Sequence, residues 1–230
     1  MPAAQNHLIE RLSRRDRAHL LRFADDVPLM LGQVLCEPGQ PARHVWFPVD
    51  GFVSLVAPIE GKPALEVGMV GREGMLGAQL ILGVAAVRLQ ALVQGNGSAW
   101  RIGRAEFRAE LARSATLRRL LDRYLYVLMA QLAGSAACLR FHEISPRLAR
   151  WLLMSQDRAH AEHFHLTHEF LGYMLGVRRE GITAAAGALQ RRGLIEYRRG
   201  ELRVIDRVGL EAAACECYAN DRAAYAETIG

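Results

Sequence analysis

The spacing of apolar residues changes twice along the chain, and each change predicts a different kind of structure. From His7 to Phe23 the apolar residues recur at helical intervals, and Ser13-Arg14 predicts a break within that helix. From 27 to about 103, short apolar runs alternate with turn sequences such as Glu37-Pro38-Gly39 and Gly95-Asn96-Gly97. Runs with this punctuation are typical of strands in a β-sandwich or small barrel.

Helical spacing returns at Arg104 and predicts a short helix to Leu111, followed by a long helix from Ser114 to Leu139. The long helix carries two apolar stripes, which are formed by Leu117, Leu121, Tyr124, Leu128 and Leu132 and by Leu120, Val127 and Met129. A helix that is apolar on more than one face must bury more than one face. One face is expected on the β-domain and the other on a partner subunit, although a buried helix in a monomer would show the same pattern.

A further helix is predicted from Ser145-Pro146, because serine is favoured as an N-cap and proline at the first helical position. Its apolar side is formed by Leu148, Trp151, Leu152 and Met154. Arg147 and Arg150 are expected on the opposite side of the helix.

The segment from Leu166 to Ile205 predicts a helix, a tight turn, a second helix and a short hairpin. Thr167 is a favourable N-cap for the first helix, and Gly176 suits a left-handed C-cap. The second helix is predicted to begin near Arg178, with an inner face formed by Ile182, Ala185 or Ala186, and Leu189. This order of elements is that of a winged helix-turn-helix, which places a helix N-terminus in the major groove of DNA.

The polar residues of this segment suit contacts with DNA. Arg178, Arg179 and Glu180 are predicted to read bases, with Thr183 as a further candidate, because arginine donates two parallel hydrogen bonds to guanine and glutamate accepts from cytosine. The residues predicted to contact phosphates are Arg198 and Arg199 in the hairpin, with Thr167 and His168 as further candidates. Taken alone, the Arg-Arg-Glu triplet would equally fit a solvated helix start.

The charge distribution agrees with a nucleic-acid partner. The net charge is +5, and 28 of the 29 basic residues are arginine, a bias that genome composition explains. Twelve arginines face eight acidic residues between Arg140 and Arg207, so this part carries +4. The sequence shows no unbroken run of about 18 apolar residues and no signal-peptide pattern, so we expect a cytoplasmic protein without a membrane span.

Two groups of potential metal ligands are present. The cysteines are Cys36, Cys138, Cys215 and Cys217, and because no C-x-x-C pair occurs, neither a zinc site nor an iron–sulfur cluster has its usual spacing. Four free thiols are expected, because the reducing cytoplasm disfavours disulfides. Four histidines lie close together at His160, His163, His165 and His168. Their spacing matches no common ligand pattern, so a polar hairpin is favoured over a metal site. The sequence therefore predicts no metal.

Together with the segment LCEPGQPARHVWFPVDGFVSLV, the long helix and the helix-turn-helix make the chain resemble the Crp/Fnr family of bacterial transcription factors. The resemblance implies an α+β fold, with an N-terminal jelly-roll domain like those that bind cyclic nucleotides (1–112), a dimerisation helix (113–139) and a winged helix-turn-helix domain with a C-terminal helical tail (140–230). It also implies that Arg179-Glu180 reads bases, that a homodimer binds a palindromic double-stranded DNA operator, and that RNA polymerase is a partner.

The cyclic-nucleotide cassette departs from the family pattern. Gly71, Glu73 and Gly74 keep a glycine-rich turn, but Arg88 is the only nearby cation, and Leu89 follows it where the family has serine. Met75 or Leu76 stands where a ribose-binding glutamate is expected. The effector-site candidates are therefore Gly71, Glu73, Gly74 and Arg88, but the pattern argues against cyclic nucleotide binding and predicts no cofactor. The N-terminal cysteine cluster of the oxygen-sensing members is also missing.

Two other functions compete with this interpretation. Cupin oxygenases share the jelly roll, but they require two or three histidines inside the barrel, and the β-segment holds only His44, so an enzyme is not predicted. The remaining alternative is a sensor module of the cyclic-nucleotide type that regulates a protein partner without binding DNA. The favoured interpretation is a sequence-specific DNA-binding transcriptional regulator whose β-roll senses an effector, with a hinge near Cys138 to Glu143.

Overall fold

The computed structural model describes residues 6–61, 64–159, 163–198 and 200–230. The chain divides into two compact units, of which the first comprises residues up to 55, 69–129 and 228–230, and the second comprises 56–68 and 130–227. The boundaries predicted at 112 and 139 remain predictions. The mixture of sheet and helix confirms the α+β class.

In the described residues of the N-terminal half, two short helices are followed by seven strands. The helices are α1 (His7–Glu10) and α2 (Arg14–Leu21). The strands are β1 (Ala24–Leu29), β2 (Val34–Cys36), β3 (His44–Pro48), β4 (Val53–Ala57), β5 (Leu65–Val70), β6 (Gln90–Val93) and β7 (Gly97–Gly103). A 3₁₀ turn lies at Ala78–Leu82. The predicted break in the first helix is confirmed, because the Ser13 side chain accepts a hydrogen bond from the Asp16 amide and caps α2.

The strands form two sheets, with the orders β1-β7-β3 and β2-β6-β4-β5. β7 pairs antiparallel with both β1 and β3, so residues far apart in sequence become neighbours, as with Trp46 opposite Arg101. The largest side chains at the centre are Phe47, Phe52 and Phe107, which are fully buried. Burial of such rings is a main stabilising contribution to this part of the fold.

Two helices follow, α3 (Arg104–Arg113) and α4 (Ala115–Phe141). The first turns of α4 bury apolar residues from both predicted stripes, namely Leu117, Leu120, Leu121, Tyr124 and Val127, whereas Met129 is 65% exposed. Among the described helices, α4 is also long and apolar enough to cross a membrane, although only 17% of its most apolar window is buried. No unbroken apolar run marks this property in the sequence, because Gln131, Ser135 and Arg140 interrupt the apolar residues of α4.

The second unit contains α5 (Ile144–Ala159), β8 (His163–His165), α6 (His168–Leu175), α7 (Arg179–Arg191), β9 (Ile195–Arg198), β10 (Glu201–Val204), α8 (Arg207–Ala213) and most of α9 (Cys217–Thr228). The strands form one antiparallel sheet with the order β8-β10-β9. Its helical core is formed by Leu148, Leu152, Leu171, Ile182 and Leu189, each of which is 0% exposed.

Two predictions for α5 were wrong. Ser145 is not the N-cap, because the helix begins at Ile144 and the Glu143 carbonyl accepts the hydrogen bond from the Arg147 amide. Pro146 is the third residue of the helix, two positions later than predicted, and it is tolerated there because amides of the first turn have no partner within the helix. Arg147 does not point outward: its side chain is buried, and its guanidinium donates to the Leu175 carbonyl.

The second arginine of α5 is also engaged in the fold. Arg150 Nη2 lies 2.7 Å from Asp221 Oδ2, and both side chains are largely buried. A similar network surrounds Arg207, which contacts Asp157 and the Tyr218 hydroxyl at 2.7 Å. Burial raises the pKa of Tyr218 to about 12, so its hydroxyl remains a donor to Asp157. These pairs hold α8 and α9 on α5.

Candidate nucleic-acid interface

The first helix of the helix-turn-helix, α6, begins as the sequence predicts. The Thr167 hydroxyl accepts a hydrogen bond from the Phe170 amide at 3.1 Å, which satisfies one of the unpaired amides of the first turn. Glu169 lies in that turn, where its negative charge complements the helix dipole, and it accepts a hydrogen bond from the Tyr173 hydroxyl at 2.9 Å.

Two glycines make the turn between α6 and α7. Gly176 has a φ of 64°, the left-handed conformation that glycine adopts without strain, and this confirms the predicted C-cap. Gly172 was not recognised from the sequence. A Cβ atom there would lie 2.9 Å from the Val177 carbonyl oxygen, so a larger residue would push the turn away from α6. Its position four residues before Gly176 was the available signal.

The recognition helix, α7, separates its two faces as predicted. Ile182, Ala185, Ala186 and Leu189 are buried. The residues at its N-terminal end that the sequence assigned to base contacts, Arg178, Arg179, Glu180 and Thr183, are exposed. Arg178 occupies the N-cap position, and among the described residues no side chain caps the amides of the first turn. Those amides form a positively polarised end beside two guanidinium groups.

The β9–β10 hairpin is fixed against both helices by Tyr197, which the sequence pattern did not single out. The Tyr197 hydroxyl donates to the Leu166 carbonyl at 2.9 Å, and its amide donates to Gln190 Oε1 at 2.9 Å. Its ring stacks on His168 with centroids 4.4 Å apart. The only sequence signal for this role of Tyr197 was an aromatic residue near the start of the predicted hairpin, the wing of the winged helix-turn-helix.

His168 joins the start of α6 to the first turn of α7. Its Nδ1 lies 2.9 Å from the Thr183 hydroxyl, which itself donates to the Arg179 carbonyl. The imidazole therefore donates through Nδ1–H, and Nε2 has no hydrogen-bond partner in the part of the chain that the structure describes. Burial, aided by the charge of Arg179, lowers the pKa of His168, so the ring is neutral at pH 7.

The arginines of the interface that the structure describes have no carboxylate partner among the other described residues. Within the described ranges, Arg178, Arg179 and Arg198 form no ion pair, whereas the arginines of α5 and α8 do. Arg198 lies at the end of β9, opposite Glu201 in the hairpin, and is exposed. Arg199 lies outside the described residues. The structure thus brings Thr167, His168, Arg179 and Thr183 together at one end of α7, and it leaves the arginine charges available for a ligand.

The helix-turn-helix geometry agrees with a comparison to known protein families. Residues 146–213 match the Crp-like helix-turn-helix domain. This segment therefore resembles a Crp-like helix-turn-helix domain, and for these residues the resemblance drawn from the sequence is confirmed. No curated protein sequence matches the chain.

Solved structures with the same fold cover between 82% and 90% of the chain. A Crp/Fnr-family transcriptional regulator from Eubacterium rectale superposes with a TM-score of 0.70 at 15% identity, over 90% of this chain and 96% of that one. FixK2 from Bradyrhizobium japonicum gives 0.70 at 17% identity, over 84% and 98%. A CRP-family regulator from Thermus thermophilus gives 0.68 at 20%, over 82% and 96%. At these identities the likeness establishes the fold, including the β-roll.

Side chains of the protein itself bind the polar groups of the glycine-rich turn in the Crp/Fnr-like β-roll and fill the space beside it. Asn6 is fully buried, and its side-chain amide donates to the carbonyls of Pro48 and Gly74 at 2.9 and 3.0 Å. Glu73 accepts from the Gly71 amide at 3.1 Å. A Cβ atom on Gly74 would lie 2.3 Å from the Tyr124 hydroxyl, so the ring of α4 takes up the space beside the turn.

The fourth effector-site candidate, Arg88, is exposed and precedes β6. No described hydrogen bond or ion pair joins it to Gly71, Glu73 or Gly74. A separate cavity of about 260 Å³ lies on the same half of the chain and includes Cys36, Glu37, Arg43 and His44 in its lining. Burial lowers the pKa of His44, which makes this cavity wall largely uncharged at neutral pH apart from Glu37 and Arg43.

Proposed function

We propose that the chain is a sequence-specific DNA-binding transcriptional regulator that acts as a homodimer. The observation that carries the proposal is the N-terminal end of α7, where Arg178, Arg179 and Glu180 are exposed and, within the described residues, the arginines have no ion-pair partners. Arg179 and Glu180 read base edges, Arg178 and Thr183 assist them, and Arg198 contacts phosphate. Arg199 keeps the same predicted role.

His168 and Thr167 take a supporting position in this proposal. The neutral imidazole is held between Thr183 and Tyr197, and it fixes the distance between the first turns of α6 and α7. Thr167 uses its oxygen as the N-cap, and its hydroxyl hydrogen is free to approach a phosphate. Both residues therefore position the recognition helix, with phosphate contact as a secondary role.

The dimer contact is proposed on the exposed face of α4. At 100° per residue, one face of this helix collects the exposed apolar residues Tyr126, Met129, Ala133, Ala136, Ala137 and Phe141. The alanines in the middle allow two helices to approach closely. Between Tyr126 and Phe141 this face carries one exposed charged residue, Arg140, whose guanidinium lies over the Phe141 ring. Apolar surface of this kind requires a cover, and a second copy of α4 supplies it with two-fold symmetry. The pair of recognition helices then fits a palindromic operator with half-sites about 34 Å apart.

The dimer is tested by sedimentation of the Ala133→Arg variant. A charged side chain in the middle of the apolar face should convert the dimer to a monomer and reduce binding to that of a half-site, whereas Ala133→Ser should remain dimeric. A monomeric wild-type protein that binds a full palindrome would refute the dimer. If the protein instead partitions with lipid vesicles, α4 is a membrane element.

The DNA-binding function is tested by selecting operator sequences with the purified protein. We expect a palindromic consensus, and Arg179→Ala should lose the preference at one position of each half-site. Arg22→Ala, which removes an exposed arginine that follows α2, should leave the consensus unchanged. Selection that yields no consensus, together with capture of a protein partner, would favour the sensor module without DNA binding.

A bacterial DNA-binding regulator must have access to the chromosome, so the proposed location is the cytoplasm. No catalytic activity is proposed. Contact with RNA polymerase stays a prediction. For the effector, calorimetric titration with cyclic AMP should give no heat, because the turn at Gly71 to Gly74 is filled by Asn6 and Tyr124. Micromolar binding that is abolished by Arg88→Ala would show that Arg88 replaces the missing cassette residues.

A further inference from the structure

Four side chains from two segments of the second unit lie close together. Their potential ligand atoms, which belong to Cys138, His142, Cys215 and Cys217, all lie within 4.8 Å of one another. The sequence predicts no metal site here because no C-x-x-C pair is present. That argument considers only near neighbours, whereas the fold brings together residues that are about 75 positions apart.

The end of α4 and the connection between α8 and α9 place these four side chains close together. The His142 amide donates to the Cys138 carbonyl at 3.1 Å, so the helical path of α4 continues to His142 and places both residues on one face, four positions apart. Cys215 lies between α8 and α9, and Cys217 is the first residue of α9. Two of the ligands therefore come from a helix end and two from a tight connection.

Two of the distances between these ligand atoms agree with those around one tetrahedral ion. Cys138 Sγ lies 3.6 Å from Cys215 Sγ, and Cys217 Sγ lies 3.6 Å from His142 Nδ1. Zinc bonds of about 2.3 Å to sulfur and about 2.0 Å to nitrogen place tetrahedral ligands about 3.8 Å and about 3.6 Å apart, respectively. The sulfur ligands of an iron–sulfur cluster are spread more widely, because they bind different iron atoms.

The second nitrogen of His142 has the partner that metal-binding histidines commonly have. Its Nε2 lies 3.1 Å from Glu216 Oε1, which fixes the proton on Nε2 and leaves the Nδ1 lone pair directed at the thiols. The same carboxylate belongs to the residue between Cys215 and Cys217. One short segment thus supplies two ligands and the group that orients a third.

The cluster is enclosed by protein and placed beside positive charge. The three cysteines are 1–8% exposed, which is the closed arrangement of structural rather than catalytic zinc sites. Three thiolates, a neutral imidazole and Zn²⁺ sum to a charge of −1. The guanidinium groups of Arg147 and Arg150 interact favourably with thiolate at Cys138 and so offset this charge.

We propose that Cys138, His142, Cys215 and Cys217 bind one zinc ion, with Glu216 as the carboxylate that orients His142. Three thiols and one imidazole are an established ligand set for structural zinc. Binding forms three Zn–S bonds and one Zn–N bond and releases the thiol protons to solvent. The ion ties the start of α9 to the end of α4, and it stabilises the C-terminal helical tail of the DNA-binding domain.

The first test uses the unaltered protein purified under reducing conditions. Elemental analysis after dialysis should give one zinc per chain. Replacement by Co²⁺ should produce a thiolate-to-cobalt charge-transfer band and the visible bands of tetrahedral cobalt, and X-ray absorption should show three sulfur ligands and one nitrogen. Protein that neither retains zinc nor gives the cobalt bands would overturn the proposal, as would iron with labile sulfide or a Cys138–Cys215 disulfide.

The second test uses matched variants. Cys138→Ser, Cys217→Ser and His142→Ala should each reduce zinc from one per chain towards zero, whereas Cys36→Ser removes a cysteine outside the cluster and should keep one. A double substitution of His163 and His165 serves as a further control. If that variant lost the ion and the cysteine variants kept it, the metal would belong to the histidine group from His160 to His168 instead. Zinc retained in Cys138→Ser and Cys217→Ser would likewise contradict the proposal.

Glu216→Gln separates the orienting role from ligation. Because outer partners of a metal-bound histidine usually change affinity by about 10–100-fold, this variant should bind zinc more weakly by that factor and still reach one ion per chain. Its cobalt spectrum should keep all three thiolates. An unchanged zinc affinity would show that Glu216 does not orient His142. The four proposed ligands would still be tested independently by the metal analysis of the unaltered protein.

Discussion

The recognition helix and the glycine-rich turn of the β-roll both resemble functional segments of the same family, but their polar groups are used differently. At the start of α7 the arginines are exposed and have no carboxylate partner in the described part of the chain. At the turn, the Gly74 carbonyl, the Gly71 amide and Glu73 are all engaged by the protein itself. A site can bind a ligand only with groups that the fold leaves available, so we assign function to the first segment and not to the second.

The largest effect is expected when Arg179, the arginine proposed to read bases, is removed. Each bidentate arginine contributes about 1–3 kcal/mol of discrimination, and a dimer uses two, so Arg179→Ala should cost about 2–6 kcal/mol, or about 30-fold to 10⁴-fold in specific affinity. Competition titrations of operator against random DNA measure this loss. Non-specific binding should change little. Equal losses on both DNAs would make Arg179 a phosphate contact.

The next effect concerns the turn. Gly74→Ala introduces a Cβ atom at 2.3 Å from the Tyr124 hydroxyl within a buried environment, and overpacking of this kind costs about 1–3 kcal/mol. Urea unfolding should show a lower midpoint. As a control, Gly134→Ala in α4 places its Cβ 3.6 Å from Asp221 Oδ1, an ordinary contact distance, and should be neutral or stabilising by up to about 1 kcal/mol. A stable Gly74→Ala protein would indicate that the turn has room for a ligand.

A smaller and non-specific effect is expected in the wing. Arg198→Ala should weaken binding to all DNA sequences and lower the salt-dependence slope by about 1 per protomer, because one phosphate contact is lost. Affinity measured against salt concentration gives the slope. The Arg22→Ala protein should keep the original slope, and a change in the operator consensus of Arg198→Ala would contradict a purely electrostatic role.

The smallest effect is the contribution of His168 to the pH dependence of stability. Its folded-state pKa lies below the ordinary value of 6.5, so the unfolded state binds more protons between these two values. The stabilisation from the neutral ring is therefore complete above pH 6.5 and is lost as the pH falls through that window. His168→Asn should flatten the pH dependence of the unfolding free energy below pH 6.5. An unchanged slope in this variant would place the titration elsewhere.

Much of the second unit could be predicted locally, because its signals are short in range. Thr167 and Gly176 bound α6 through hydrogen bonds and backbone angles that depend on neighbouring residues only. The two faces of α7 follow from helical periodicity. The roles of Gly172 and Tyr197 were missed, because they depend on contacts across the turn and from the wing to Leu166.

The start of α5 and the direction of Arg147 could not be predicted from local sequence signals. Ser145-Pro146 is a good local start signal, yet the helix begins at Ile144, and Arg147 turns inward to the Leu175 carbonyl. An arginine at a polar position of a helix is usually solvated, but a carbonyl left unpaired at the end of α6 provides a partner. Such a partner is visible only when α5 and α6 are packed together.

By itself, the sequence determined the order of elements, the faces of the recognition helix and the charge of its exposed end, because apolar periodicity, caps and turns act between near neighbours. Only the tertiary structure decided that Asn6 and Tyr124 fill the β-roll turn and that Cys138, His142, Cys215 and Cys217 meet. Those outcomes depend on side chains that are distant in sequence, and packing of the whole chain is what brings them within bonding distance.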